Sequence, residues 1–470
     1  MALSIPRHVL KIIDLLQENG ATDVLIVGGF VRDYLLGIPS KDFDIEAYGL
    51  SYAQIRDILS GSFRVDIVGQ AFGVLKVGRD VDVALPRRES KNGLGHKGFN
   101  VEWSSNISPR EAFARRDFTV NAIGMRRDGS FCDPFNGIDD LKHKRLRATS
   151  AAFKDDPLRV LRGMQFAARF GFTTEPQTLQ YCREVLPEFN TLSQERVYEE
   201  WKKWALKGQY PEYGLMFLRD SGWTHAFPEL CALTNGNENA WRQTIRSCQE
   251  MANLVRERRF NFSDDERTYL MFSALTYAFD APTPSESEKI ATRRLRRNAK
   301  NISAARLFFE KMKAPTRVLE VVGKLAEEET PLFSHPNERL IRRLAHRLQP
   351  GNIKLWALLH AALKYANCEH DENEANILSL AKTDDQTARI SRPQIREQME
   401  IWIDEAAKRG LLESAPEPLV KGRDIVSMGI SPGPQMGNIL AKAFEAQLDG
   451  LFSTTKDGVS FIKKMGWLKE

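Results

Sequence analysis

VLIVGGFVRDYLLGIPSKDFDIEAY, residues 24–48, opens on four apolar residues, three of them β-branched, which is the make-up of a buried strand. Gly28 and Gly29 interrupt the run. A helical pattern follows over 30–36, which Gly37 can end and Pro39 forbids to continue. A second strand then carries Asp42, Phe43, Asp44, Ile45 and Glu46. Side chains alternate along a strand, so the three acids share one face while Phe43 and Ile45 point into the core.

Carboxylates on alternate strand residues stand about 7 Å apart and repel each other unless a cation lies between them. A hard divalent ion with oxygen ligands fits, and Mg²⁺ takes a few carboxylates and completes its shell with water and phosphate. The diglycine presents bare backbone at a helix N-terminus, where amide N–H groups favour a phosphate, and Arg32 adds a forked donor to the same anion. Together these features predict nucleotidyl or phosphoryl transfer with two metals. An ordinary strand with solvated acids and a glycine turn would carry the same pattern.

At 470 residues the chain exceeds a single core and should divide into roughly three modules. Charged residues at 27% and hydrophobic ones at 42% place it among soluble globular proteins. No apolar run approaches the ~20 residues of a membrane span, so no membrane role is expected. The first 20 residues have charges inside their apolar periodicity and read as an amphipathic helix, not a signal peptide. Cys132, Cys182, Cys231, Cys248 and Cys368 lack metal-ligand spacing, which fits a reducing cytoplasm and no disulfide frame. The net charge of +5 is mild, but basic residues cluster at 256–259, 293–300 and 342–347. Such runs are usually solvated helix faces and favour nucleic acid only weakly.

The first 150 residues mix strands and helices, with a helix over 51–59 and strands over 63–68, 74–77 and 81–85. Asp82 is either a third metal carboxylate brought in on a neighbouring strand or a solvated strand acid. The segment 86–103, PRRESKNGLGHKGFNVEW, is basic and glycine-rich without periodicity, and reads as a mobile loop beside the site. Arg87, Arg88, Lys91, His96 and Lys97 are placed there to meet a nucleic-acid backbone; His96 by itself is no sign of acid–base catalysis. Arg115, Arg116, Asp117 and Asn121, just ahead of an apolar segment, suit a triphosphate and sugar pocket, a weak signal by spacing alone. CDPFNGIDDLKHKRLR, 132–147, reads as a turn, a short helix and a basic strand. Beyond Asp155 helix follows helix. Asp156 caps the first of them with Pro157 in its first turn, and Arg159 and Arg162 follow at spacings of three. A capping acid with a surface ion pair accounts for that much.

VGGFVRD, DFDIE, RRDFTVNAI, DPFNGIDDL, DDPLRVLRGMQFAARFGF and ERVYEEWKK occur in this order between residues 27 and 203. In order and spacing the series resembles the motifs of the class II tRNA nucleotidyltransferases, which include CCA-adding enzymes and bacterial poly(A) polymerases. The segment 418–450 is also similar to the tail of bacterial members. The resemblance implies an α/β (or α+β) nucleotidyltransferase head with a mixed sheet over 1–147. An all-α neck over 148–228, body over 229–385 and tail over 386–470 would follow.

Carried over residue by residue, it implies that Asp42 and Asp44 hold two Mg²⁺ ions, and that Gly28, Gly29, Arg32, Arg116 and Asn121 hold the triphosphate and ribose. Asp156 and Arg159 would act as a protein template for the incoming base, and Arg162 matches a further family arginine. Cytosine and adenine both present an amine beside an unprotonated ring nitrogen, which a carboxylate and a guanidinium can read. Uracil and guanine present the reverse, and an unpaired buried polar group costs ~1–3 kcal/mol. Gln165 departs from the family, where many members have a third arginine.

Gly69-Gln70-Ala71-Phe72 lacks the basic pair typical of the poly(A) polymerase branch, and the long basic loop after Arg87 favours complete CCA addition from CTP and ATP. Addition of A alone, of CC alone or of a poly(A) tract stays open, as does a non-catalytic RNA-binding role. The partner would be tRNA, gripped at acceptor stem and elbow by a monomeric, cytoplasmic enzyme. Many bacterial relatives carry an HD phosphohydrolase domain. Here Gln243, Tyr277 and Ala278 stand where its metal-binding His, His and Asp would be, so a degenerate HD scaffold without phosphatase activity is expected. His370-Asp371 spells the dipeptide but reads as a surface turn.

Overall fold

The computed structural model describes residues 5–67, 73–91, 99–104, 106–279, 304–368 and 390–467. They form two compact units, Met1–Cys231 and Ala232–Glu470.

In the first unit the strands are β1 (Asp23–Val27), β2 (Phe43–Tyr48), β3 (Val65–Ile67), β4 (Val74–Val77), β5 (Val81–Ala84), β6 (Arg87–Lys91), β7 (Phe99–Trp103), β8 (Gly124–Met125) and β9 (Phe131–Cys132). Seven of these make one mixed sheet in the order β3-β4-β5-β2-β1-β8-β9, and β6 pairs with β7 as a separate two-stranded sheet. β2 runs antiparallel to β1, with Val27 opposite Asp44 and Leu25 opposite Glu46. It runs parallel to β5, with Asp44 opposite Asp82. Residues directly opposite one another project to the same side, so Asp44, Glu46 and Asp82 share a face with Leu25 and Val27.

That face carries an apolar patch of Leu25, Val27, Tyr48, Ile107, Ala112, Phe113 and Ala122, which α4 (Pro109–Ala114) helps to cover. On the other face Phe43 meets Phe30 of α2 (Gly29–Leu35) at 4.5 Å and His8 of α1 (Arg7–Glu18) at 6.4 Å. The helical spacing of Val9, Ile12, Ile13 and Leu16 buries all four against β1 and α3 (Tyr52–Ser60), each contributing about 1.5–3 kcal/mol.

α5 (Gly137–Lys142) is clamped to the segment that follows the paired arginines. A Cβ on Gly137 would lie 2.2 Å from the Thr119 carbonyl oxygen, so glycine alone fits. Three residues on, the fully buried Asp140 accepts from Thr119 Oγ1 at 2.6 Å, Arg145 Nε at 2.6 Å and Arg147 Nε at 2.8 Å. Asp140→Ala should destabilise the fold by about 2–3 kcal/mol, below the 3–5 kcal/mol of a fully buried pair because both arginines keep some access to water. Urea denaturation measures this, and a loss under about 1 kcal/mol would show that the cluster is not structural.

α6 (Leu158–Phe170) packs against α8 (Gln194–Lys207) and α9 (Pro211–Asp220), with α7 (Pro176–Val185) following α6 in the chain. It ends at Gly171, whose φ of 66° suits glycine. A Cβ on Gly163 would stand 2.6 Å from Phe217 Cζ and 3.0 Å from Phe118 Cζ, so α6 sits directly on Phe118. Phe118 also meets Phe153 at 5.5 Å and Phe166 at 5.8 Å. These aromatic contacts fix α6 to the segment that carries Phe118.

Several local expectations change. β2 begins at Phe43, which leaves Asp42 just ahead of it and exposed. Within 86–103, β6 and β7 pair from Arg87↔Trp103 to Lys91↔Phe99, and the Arg87 guanidinium lies 5.2 Å over the Trp103 ring, while 92–98 lie outside the described residues. That cross-strand contact compensates for weak strand propensity. The strand expected over 63–68 is Val65–Ile67 within the described residues. Residues 151–155 form a 3-10 turn and α6 starts at Leu158, which leaves Asp156 extended. A two-residue strand, Thr173–Thr174, pairs in parallel with Arg145–Leu146 in what had read as purely helical sequence.

The second unit is helical throughout its described residues. Its buried axis is Ile353–Tyr365, which packs against Glu238–Leu254, Asp264–Thr276 and Arg392–Lys408, with Trp356 and Trp402 rings 4.7 Å apart. Val420, Ile425, Met436, Ile439, Ala443, Ala446, Phe452 and Ile462 form a smaller core near the C-terminus. Gln243 lies on Glu238–Leu254; Tyr277 is exposed and Ala278 buried just past Asp264–Thr276. His96, Lys97, Gly69 to Phe72, the basic run 293–300 and His370-Asp371 lie outside the described residues. No described helix is long and apolar enough to cross a membrane.

Candidate active site

β1 passes into α2 through Gly28, whose φ of 74° disfavours any side chain. A Cβ there would come within 3.1 Å of Arg116 Nη1 and 3.6 Å of Asp44 Oδ2. Bare backbone, a guanidinium and a carboxylate therefore meet at one point. α2 is only two turns long, so most of the positive charge comes from side chains rather than from the helix end.

Around this point opens a cavity of about 410 Å³. Its lining comprises Gly28, Gly29, Arg32, Asp44, Arg87, Arg115, Arg116, Asp117, Asn121, Asp156, Leu158, Arg159, Arg162, Phe166 and Arg196. Seven arginines against three aspartates make it an anion site. The residues assigned to phosphate, ribose and base all line it, as does Asp44; Asp42 does not, nor does Asp82, the further candidate metal carboxylate.

The wall nearest the sheet rests on Glu46, which bonds Arg115 and Arg116. Desolvation pushes the Asp44 carboxyl up; Arg116 pulls it back, while Asp82, Glu46 and Asp42 push it up again. Crowded carboxylates of this kind favour a hard divalent cation, so the donor set fits one. Among the described residues no three His, Cys, Asp or Glu side chains group to hold a metal by themselves. A cation at Asp44 would draw the rest of its shell from water and phosphate oxygens, as magnesium does.

The opposite wall is a chain of charge-assisted bonds. Arg32 is 4% exposed, lies over the rings of Phe166 and Phe170, and donates from Nη1 to Asn121 Oδ1 at 2.6 Å. Asn121 Nδ2 donates to Asp117 Oδ1 at 2.9 Å, and Arg162 donates to Asp117 Oδ2 from Nε at 2.8 Å. Burial opposes charge on Asp117, but Arg162, Asn121 and the Phe118 amide outweigh it and hold the carboxyl below its usual range. Asp33 grips Arg32 and also Arg169 of α6 at 3.0 Å, which ties α2 to α6.

Asp156 caps α6 through Oδ1, which accepts from the Leu158 amide at 3.0 Å, while Oδ2 pairs with Arg196 of α8 at 3.1 Å. Its ion partner is thus Arg196, not Arg159. Arg159 is 9% exposed and donates to the Ala152 carbonyl from Nη1, which leaves its other donors for the cavity. Gln165, further along α6, is buried and its Nε2 has no partner.

Sequence reasoning left Arg196, Phe166 and Glu46 without a role. Arg196 stood in a quoted motif, ERVYEEWKK, and Glu46 on the acid-bearing face of its strand; Phe166 gave no signal beyond core periodicity.

Residues 24–147 match the family described as "Poly A polymerase head domain", and 171–233 match "Probable RNA and SrmB- binding site of polymerase A". A relative from Acinetobacter baumannii (strain AYE), named "Multifunctional CCA protein", is 33% identical over 345 residues, covering 72% of this chain and 78% of its own length. The chain belongs to the CCA-adding tRNA nucleotidyltransferase family. A second family member, from Aliivibrio salmonicida, is 39% identical over 217 residues, 45% of this chain and 52% of its own. The fold is that of the Bacillus stearothermophilus CCA-adding enzyme in complex with CTP, with a TM-score of 0.60 at 21% identity over 98% of this chain and 97% of that one. The Thermotoga maritima enzyme complexed with tRNA_CCA gives 0.58 at 16% identity, over 98% and 96%. The protein is therefore a nucleotidyltransferase.

Proposed function

We propose that this nucleotidyltransferase builds the complete CCA end of tRNA, adding two CTP and one ATP without a nucleic-acid template. The observation that carries the reading is that Asp156 and Arg159 line the same cavity as Asp44 and the Gly28–Gly29 backbone. A base reader and a phosphate site then serve one bound nucleotide.

In this reading the 3′-oxygen of the tRNA forms a bond to the α-phosphorus, the α–β phosphoanhydride breaks, and pyrophosphate leaves. Asp44 and Asp42 would hold Mg²⁺, which when bound supplies a more acidic 3′-hydroxyl and neutralises charge on the leaving group. The hydroxyl proton passes to water. Arg115, Arg116 and Arg32 hold the triphosphate, and Asn121 keeps Arg32 aimed into the cavity. Asp156 accepts from the exocyclic amine of cytosine or adenine while Arg159 donates to the adjacent ring nitrogen. Phe166 offers the base an apolar surface. The head over 1–147, neck over 148–228, body over 229–385 and tail over 386–470 divide catalysis, base reading and the grip on tRNA.

Labelled CTP and ATP, supplied singly and together to tRNA lacking its last three nucleotides, test the proposal. The expected outcome is two C residues from CTP alone and three nucleotides from the mixture, with no further growth. Incorporation of A only onto ends already carrying CC would identify an A-adding enzyme, and long A tracts a poly(A) polymerase.

A further inference from the structure

Arg115 and Arg116 are adjacent, carry like charges and both line the cavity, an arrangement that needs something to hold it. Glu46 lies behind them, outside the lining and only 3% exposed. One of its oxygens, Oε1, accepts from Arg116 Nη2 at 2.8 Å and from Arg115 Nη2 at 3.3 Å. The other, Oε2, accepts from Tyr48 Oη at 2.9 Å, and Tyr48 belongs to the apolar patch with Phe113 and Leu25. The Arg116 guanidinium lies 5.2 Å over the Phe113 ring and donates to the Asn121 carbonyl at 3.3 Å. A buried carboxylate is costly to retain unless its pairing serves some purpose.

We infer that Glu46 is the positioning residue of the triphosphate site: by tying two neighbouring guanidiniums to one strand-borne oxygen, it sets both against the same bound nucleotide. Asp44, two residues earlier on the same face, is fixed relative to that pair by the strand itself. The inference rests on the nucleotide-pocket reading above.

Position and charge predict opposite responses. If Glu46 mattered only as a negative charge beside an anion site, removing the charge would alter CTP affinity and moving the carboxylate would not. If it positions the arginines, the reverse holds. Glu46→Gln keeps the length and an acceptor oxygen but loses the charge; Glu46→Asp keeps the charge but withdraws it by one methylene. Calorimetric titration of CTP into the full chain, in magnesium buffer without tRNA, compares them, and thermal unfolding verifies that each is folded.

Glu46→Gln should bind CTP within about twofold of the unmodified chain, and Glu46→Asp about 10- to 100-fold more weakly, the scale of a 1 Å misplacement. In turnover, Glu46→Asp should raise the KM for CTP more than it lowers kcat, with Glu46→Gln restoring it. Undiminished CTP binding by Glu46→Asp, or binding by Glu46→Gln as weak as that of Glu46→Asp, overturns the inference. Failure of the unmodified chain to bind CTP overturns the pocket reading itself and the inference with it.

Discussion

Asp44→Ala is expected to lower nucleotide incorporation by about 10³-fold or more, because it removes the carboxylate at the meeting point of Gly28, Arg116 and the cavity. Affinity for tRNA should stay within about twofold, since an acid makes no favourable phosphate contact. Asp42→Ala is expected to fall as far, although Asp42 stands just ahead of β2 and outside the cavity lining. The comparison is informative whichever way it comes out. Loss of turnover in both variants supports Asp42 and Asp44 as the pair that holds magnesium. Turnover that survives Asp42→Ala but not Asp44→Ala would move the second ligand to Asp82, which lies beside Asp44 on β5. Survival in both would remove the metal assignment altogether. Single-turnover incorporation and filter binding of tRNA supply the two readouts.

Arg159→Ala should have the second largest effect, on choice of nucleotide rather than on rate alone. Arg159 is nearly fully buried at the cavity wall, and one of its donors is spent on the Ala152 carbonyl. The remaining donors would meet the ring nitrogen of cytosine or adenine and oppose the N–H of uracil or guanine. Loss of such a contact is worth about 1–3 kcal/mol, or about 5- to 150-fold in discrimination. The ratio of kcat/KM for CTP over UTP is therefore expected to fall by about that factor, with tRNA affinity little changed. Unaltered rejection of UTP and GTP would place base selection elsewhere. Arg196 would then come under suspicion, because it pairs with the Asp156 carboxylate.

Local signals made the centre of the site legible in the sequence. Two glycines after an apolar run require a backbone that carries no side chain, and alternation in DFDIE puts Asp44 and Glu46 on one face whatever the rest of the fold does. The division into a strand-and-helix first part and a helical remainder followed from the same periodicities; the mixed sheet came with the family resemblance. Long-range partnerships were not legible. Glu46 finds Arg115 and Arg116 about 70 positions later, and Asp117 is held by Arg162 across 45 positions. Nothing in either local pattern announces the pairing. The β6–β7 pairing was hidden by composition, because the glycines and lysines of 86–103 obscure strands that register and the Arg87–Trp103 contact hold together. Asp156 had one plausible partner at helical spacing, Arg159, and did not take it; packing of α8 on α6 supplied Arg196 instead.

The account stands on a single nucleotide touching both the acids of the sheet and the reader on α6. A crystal structure with Mn²⁺ and a non-hydrolysable CTP analogue tests this directly, since manganese is located by its anomalous scattering. The predicted result is manganese on Asp44, phosphates against Gly28 and Arg116, and the cytosine edge on Asp156 and Arg159. Triphosphate bound away from Asp44, or a cytosine edge turned from Arg159, would contradict it.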